Sequence, residues 1–308
     1  MSHPYFFISK ENNIYASKQS PLALAGSDDM QCAEAEQKNR TGVFPGTGNI
    51  MGSETIELTG RDFYHLVKVL RAKKGDIVEL SDNRAFRYQA EVCSMEKDSA
   101  ILAVKRATPI IAATPSISLY LCILKKDAME LAIQKTAEIG IGTIVPVLSS
   151  RTVVKLDKHE FEPKAARWQQ IASEASKQCK RDFECIIKTP VPLIDADISG
   201  YDVFFAALEP ETFKIKVPKN SSVTDYQSKL PGAKDMAVTI DGGLLCRMQK
   251  IAYIVGPEGG FDQNEVSLLA KKGAVAVTFG KNILRSETAA IYFLSVLDYL
   301  IKTGRKII

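Results

Sequence analysis

Two glycine-marked turns late in the chain carry the residue types best suited to chemistry. The first reads Gly256-Pro257-Glu258-Gly259-Gly260, and the second runs from Phe279 and Gly280 through Ile283, Leu284 and Arg285 to Glu287 and Thr288. Glycines let backbone approach a ligand closely, and Pro257 stiffens the first turn. No Gly-Lys-Ser/Thr follows it, so it is not a phosphate-binding P-loop. Its glycine spacing is also not that of a dinucleotide fingerprint. In the second turn Arg285, Glu287 and Thr288 gather charge and hydrogen-bonding groups where a helix begins. An arginine can favour a nearby anion, and Glu258 and Glu287 are the candidate bases. Each glutamate also has a plainer role open to it, Glu258 bracing its loop and Glu287 suiting the helix dipole.

Both turns follow short apolar runs that read as buried strands, and each opens a helical pattern. Asp262 with Glu265 makes a capping-box pattern for the first helix, and Ser286 is the expected cap of the second. Upstream, strands are expected at Ile117–Leu124, Thr143–Leu148 and Val203–Leu208. Helices are expected at Ala128–Ile139, closed by Gly140, and at Phe161–Lys180, with Trp168, Ile171 and Ala175 on its apolar side. That alternation implies a mainly parallel sheet with helices on its faces. Ligands bind such sheets at the carboxyl ends of strands, so the two turns are expected to be two walls of one pocket.

The first third of the chain reads differently. Tyr5–Ile8 is a short strand, and residues 17 to 52, with a possible short helix at Asp29–Lys38, form an insertion or loop. Arg61–Arg71 has helical spacing with Leu66, Val69 and Leu70 on one face. Strands around Ile77–Leu80, Phe86–Val92 and Ala100–Val104 suggest a small barrel. Arg61, Lys68, Arg71, Lys73, Lys74, Arg84 and Arg87 lie in or beside it, either as a solvated face or as an RNA-binding one. The proline-containing stretch 107–116 is the expected linker between domains at 1–106 and 117–308. A second insertion is expected at about 210–248.

The excess of Lys+Arg over Asp+Glu is 40 − 36 = +4, with a pI near 8.6. This permits nucleic-acid binding without demonstrating it. Six cysteines without paired or metal-finger spacing point to a reduced cytosolic compartment. The start lacks signal-peptide character. The apolar segment Ala289–Ile301 is too short to span a bilayer and carries Asp298, so a soluble intracellular protein is expected.

Ile254–Phe261 together with Phe279–Ala289 resembles the paired signature of the RsmE family. These are SPOUT-class methyltransferases that act on N3 of a uridine in 16S ribosomal RNA of the small subunit. His65–Arg71 followed by Gly75-Asp76 is similar to the family's PUA-like barrel. Lys125–Glu130, Lys135, Glu138–Gly140, Pro146 and Arg151 are similar to the start of its catalytic domain. Arg167-Trp168, Ile171, Glu174-Ala175, Gln178 and Arg181 are similar to its helical segment. Tyr5 stands where the family usually has an arginine, and Phe279 where it has a leucine.

The resemblance implies an α/β fold, with a SPOUT-type C-terminal trefoil-knot domain built on a mainly parallel sheet after a small PUA-like β-barrel. It implies a homodimer binding S-adenosylmethionine, with no metal and no membrane. Leu208-Glu209, Gly256–Gly260 and Phe279–Arg285 would wall the cofactor pocket, with Ile283 and Leu284 backbone at the adenine. Arg285 would stabilise the uridine anion, with Glu287 or Glu258 as base. Lys68 and Arg71 would contact RNA, Lys125 and Arg151 would contact RNA phosphate or the partner subunit, and His65 would be packed in the barrel. A 2′-O-ribose methyltransferase and a non-catalytic ribosome-assembly factor are the alternatives.

Overall fold

The computed structural model describes residues 3–8, 14–15, 55–112, 114–154, 158–208, 240–280 and 282–307. The chain divides into two compact units, Met1–Ala112 and Ala113–Ile308. The first insertion, its short helix, Glu209 and residues 210–239 of the second insertion lie outside the described residues.

In the first unit the strands are β1 (Tyr5–Phe7), β2 (Ile14–Tyr15), β3 (Thr55–Thr59), β4 (Ile77–Ser81), β5 (Phe86–Met95) and β6 (Ser99–Pro109), in sheet order β1-β4-β5-β6-β3-β2. β1 runs parallel to β4, and the other pairs are antiparallel. Alternate residues point inward, so Ile56, Leu58, Val78, Leu80, Tyr88, Ala90 and Val92 join Phe6 in one core. Strands from distant places in the ladder feed that single core, so the sheet is curled. Register shifts at Gln89/Ala90 and Val92/Ser94 give β5 its bend. His65 packs edge-on to Phe6 at 5.9 Å. Tyr5 is buried, with the Arg87 guanidinium 5.3 Å from its ring centroid.

The expected helix at Arg61–Arg71 is shorter and partly of another kind. Helix α1 (Gly60–Tyr64) gives way to a π-helical turn at His65–Val69, where Leu70 N–H bonds His65 O at 3.0 Å. The wider turn rotates its last residues outward. Leu66 is buried, but Val69 is 60% and Leu70 40% exposed, so the three do not share a buried face. The expected linker is also shortened. Ala107, Thr108 and Pro109 extend β6 against Tyr88, Arg87 and Phe86, and Ser116 already begins the next strand.

The second unit contains β7 (Ser116–Cys122), α2 (Lys126–Ile139), β8 (Thr143–Leu148), α3 (Phe161–Gln178), β9 (Ile186–Ile187), β10 (Val191–Pro192), β11 (Val203–Ala207), β12 (Ile240–Asp241), α4 (Gly242–Leu245), β13 (Lys250–Val255), α5 (Gln263–Lys271), β14 (Val275–Val277), α6 (Ser286–Thr303) and β15 (Lys306–Ile307). The main sheet has the order β10-β8-β7-β13-β11-β14, with β9 also on β8, and every pair in it is parallel.

Such strands are apolar on both sides. On β13, Ile251, Tyr253 and Val255 face a core closed by Met129 and Ile133 of α2, Trp168 and Ala172 of α3, and Phe293 and Leu297 of α6. Ala252 and Ile254 face the other core, closed by Val266 and Leu269 of α5. Each fully buried large side chain contributes about 1.5–3 kcal/mol. Gly140 ends α2 with φ 130°, and Arg181 donates to the carbonyls of Ala137, Gly140 and Ile141 at 3.0, 3.1 and 2.6 Å.

The second insertion is narrower than expected, because residues 240–248 belong to the fold. β12 pairs with β15, and Leu245 and Met248 join the core. A Cβ at Gly242 would overlap the Leu300 and Arg305 carbonyls, so only glycine lets this turn approach the end of α6. Among the described residues, no helix is long and apolar enough to cross a membrane, and no cluster of His, Cys, Asp or Glu is arranged to hold a metal.

Candidate active site

Because the strands are parallel, the segments after β7, β11, β13 and β14 all emerge at one end of the sheet. They enclose a cavity of about 690 Å³. Leu208, Gly256, Pro257, Glu258, Gly260, Phe279, Ile283, Leu284, Arg285 and Glu287 line it, so both glycine turns form walls of one pocket. Gly259 and Gly280 do not line it. Gly259 instead faces Arg151, and Gly280 takes a φ of 85°, which shapes the second turn.

The first turn is tied down from both sides. Lys125 N–H, at the start of α2, donates to Glu258 Oε1 at 3.1 Å. A carboxylate is favoured there by the helix dipole. Arg151 Nη1 donates to Gly259 O at 3.0 Å. The expected capping box forms, with Glu265 N–H on Asp262 Oδ1 at 2.8 Å and Asp262 N–H on Glu265 Oε2 at 3.0 Å. Ser150 joins it, its N–H bonding Glu265 Oε1 at 2.7 Å and its hydroxyl Asp262 Oδ2 at 2.8 Å. The Glu265 N–H bond first, then Ser150, holds the Asp262 carboxyl below its ordinary pKa. A Cβ on Gly256 would sit 3.1 Å from the Phe261 ring, so the turn folds tightly over that side chain.

The second turn is held by packing. Phe279 packs edge-on to Tyr292 and tilted against Phe293, with ring centroids at 5.4 and 5.2 Å, while Ile283 is 68% exposed at the cavity edge. Ser286 does not cap α6. It is the first helical residue and is buried, while Arg285 takes the cap position without a side-chain cap bond. Helix α6 is fixed from beneath by Tyr253, whose hydroxyl donates to Ala290 O at 2.8 Å inside the core.

A model of the RNA methyltransferase domain matches residues 112–298, and one of the RNA methyltransferase PUA domain matches residues 58–105. The ribosomal RNA small subunit methyltransferase E of Mesomycoplasma hyopneumoniae is 33% identical over 58% of this chain and 67% of its own length. The chain belongs to the ribosomal RNA small subunit methyltransferase E family. The family's Bacillus subtilis enzyme is 28% identical over 80% of this chain and 90% of its own. A solved Legionella pneumophila methyltransferase in complex with the cofactor SAM is 26% identical, covering 84% of this chain and 94% of its own, with a TM-score of 0.62.

Within this family member the remaining candidates are scattered. Lys125 is at the cavity edge, and Arg151 is committed to Gly259. Lys68 and Arg71 are exposed on the first unit, Arg71 with a φ of 54°. Sequence reasoning missed Asp127, Ala128 and Leu131, which bring the first turns of α2 into the cavity wall. Their spacing is that of one helix face, but nothing local says which element the face meets. Thr278 and Ala289 were missed likewise.

Proposed function

We propose that this chain is an S-adenosylmethionine-dependent methyltransferase that modifies N3 of a uridine in small-subunit 16S rRNA. The observation that carries the reading is the convergence of both glycine turns on one cavity in a member of this family. Its volume falls in the range of small-molecule sites, about 300–1,000 Å³. Leu208, Ile283 and Leu284 suit an apolar purine, and Lys125, Asp127 and Glu258 near the start of α2 suit a zwitterionic amino-acid tail. The Phe261 ring fills the space where a Cβ on Gly256 would stand, which keeps this turn tight against the cavity. Bound there, S-adenosylmethionine supplies a methyl group on a cationic sulfur.

Uridine N3 carries a proton at neutral pH, and that proton must leave before N3 can act as a nucleophile. Arg285 brings its guanidinium to the cavity edge, where it favours the deprotonated ring. Glu287, in the first turn of α6 and half-buried in the same wall, is assigned as base. The bond from Lys125 N–H gives Glu258 a bracing part instead.

The first unit, with Lys68 and Arg71 exposed, is assigned to RNA binding, and the second to catalysis. Lys125 and Arg151 add positive charge near the cavity. A trefoil knot in the second unit is proposed from its membership of this family. Tyr292 and Tyr299, 49% and 47% exposed and two turns apart on α6, support a homodimer. The enzyme is assigned to the cytoplasm, where ribosomal subunits are its substrate.

The test is incubation with methyl-labelled S-adenosylmethionine and unmodified small subunits, followed by mapping of the label. Label on uracil N3 is expected. Label on a ribose would indicate 2′-O transfer, and RNA binding without label would remove the enzyme. Light scattering checks the dimer.

A further inference from the structure

A second cavity, of about 410 Å³, lies in the same unit between α2 and α3. We propose that it holds a backbone phosphate of the RNA strand whose nucleotide enters the first cavity, an inference that rests on the function proposed above. Its floor includes Met129 and Trp168, both buried, and its rim carries Lys126, Glu130, Lys164 and Arg167. Arg167 Nε donates to Glu130 Oε1 at 2.8 Å. That bond, aided by the fields of Arg167, Lys126 and Lys164, keeps the Glu130 carboxyl below its ordinary pKa. Three cations against one carboxylate leave the rim at +2.

Among the described residues neither lysine has an ion-pair partner within 4 Å, so the excess charge is available to a ligand. Arg167 has further N–H donors beyond the one bonded to Glu130. A phosphodiester fits this rim better than a base does, because Trp168 is only 5% exposed and offers little surface for stacking. The two cavities share a wall. Asp127, Ala128 and Leu131 of α2 face the first, while Lys126, Met129 and Glu130 face the second. The wall is one helix thick, about 10–12 Å. A stacked strand advances about 3.4 Å per nucleotide, so the phosphate belongs about three nucleotides from the target.

The experiment is a filter-binding titration of an unmodified small-subunit rRNA transcript over a range of salt, with wild type, Lys126→Ala/Lys164→Ala and Glu130→Gln. Each lost phosphate contact lowers the slope of log affinity against log salt by about 0.7 on a single strand. The double variant is expected to lose about 0.7 from the slope, the value for one phosphate, and at least tenfold in affinity at low salt, with unchanged melting temperature and S-adenosylmethionine affinity. Glu130→Gln removes the opposing charge and should tighten binding severalfold. A double-variant slope equal to wild type, or an equal loss of cofactor affinity, overturns the proposal. RNA binding is read without turnover, so a wild type that transfers no methyl group would overturn the enzymatic reading while the slopes still decide this site.

Discussion

The two glycine turns look alike in sequence and are held in different ways. The first has its shape set by polar bonds from both flanks, namely Lys125 N–H on Glu258, Arg151 on Gly259, and the Asp262–Glu265–Ser150 network. Among the described residues, the side chains of the second make no hydrogen bond to another element. Phe279 and Leu284 pack on the core, and Tyr253 anchors the helix behind them. One wall is therefore complete before any ligand arrives, while the other presents exposed Ile283 and Arg285 to whatever enters. A preorganised wall lowers the cost of ordering on binding, and an exposed wall leaves groups free to meet a reacting centre.

If that division holds, the largest single effect on rate comes from the second wall. Arg285→Ala should lower single-turnover methyl transfer on the order of 100-fold, the scale of removing one group that stabilises developing charge. Its melting temperature should stay within a degree or two of wild type, because Arg285 is exposed and caps nothing with its side chain. Unchanged turnover would remove Arg285 from the mechanism. Glu265→Ala should do the reverse. It strips an acceptor from Ser150 N–H and from Asp262 N–H and dismantles the capping box. Chemical denaturation should show a loss of about 2–4 kcal/mol, from the cap and the stranded donors together. Cofactor affinity should fall about tenfold with it, since the backbone of the first wall loosens. Ile283→Ala is smaller again. At 68% exposure it should change stability by less than about 0.5 kcal/mol. Calorimetry should still show a severalfold loss of cofactor affinity, and no loss would take Ile283 out of the wall.

The same contrast explains what could be read from the chain alone. The Asp262–Glu265 box was legible because both partners lie three residues apart, and so was the pairing of apolar strands with glycine turns. The Ser150 and Arg151 ties span more than a hundred residues, and no local pattern encodes them. Ser286 has the right residue type for a cap, but tertiary packing buries it and moves the helix start by one residue. Extrapolating a 3.6-residue period through Leu66, Val69 and Leu70 failed because a π turn intervenes. Thr55–Thr59 alternates cleanly, yet five residues beside an insertion carried too little context to be assigned as a strand. Ile240–Leu245 owes its place to contacts with the end of α6, which its glycine-rich sequence does not announce.

The smallest effect tests the first wall through its charge. Asp262 titrates below its ordinary value because the Glu265 N–H and the Ser150 hydroxyl both stabilise the ionised form. A carboxyl with a depressed folded pKa adds stability that is complete above its unfolded value, about 3.9. That stability is lost as pH falls through the lower folded value. The difference in melting temperature between wild type and Asp262→Asn should therefore be constant from neutral pH down to about 5, and close as pH approaches 3. Ile283→Ala should follow the wild-type profile throughout, since no titrating group in the second wall is bonded through it. A difference between wild type and Asp262→Asn that stays constant into strong acid would mean that the Asp262 charge contributes nothing. The first wall would then rest on its Glu265, Arg151 and Glu258 contacts alone.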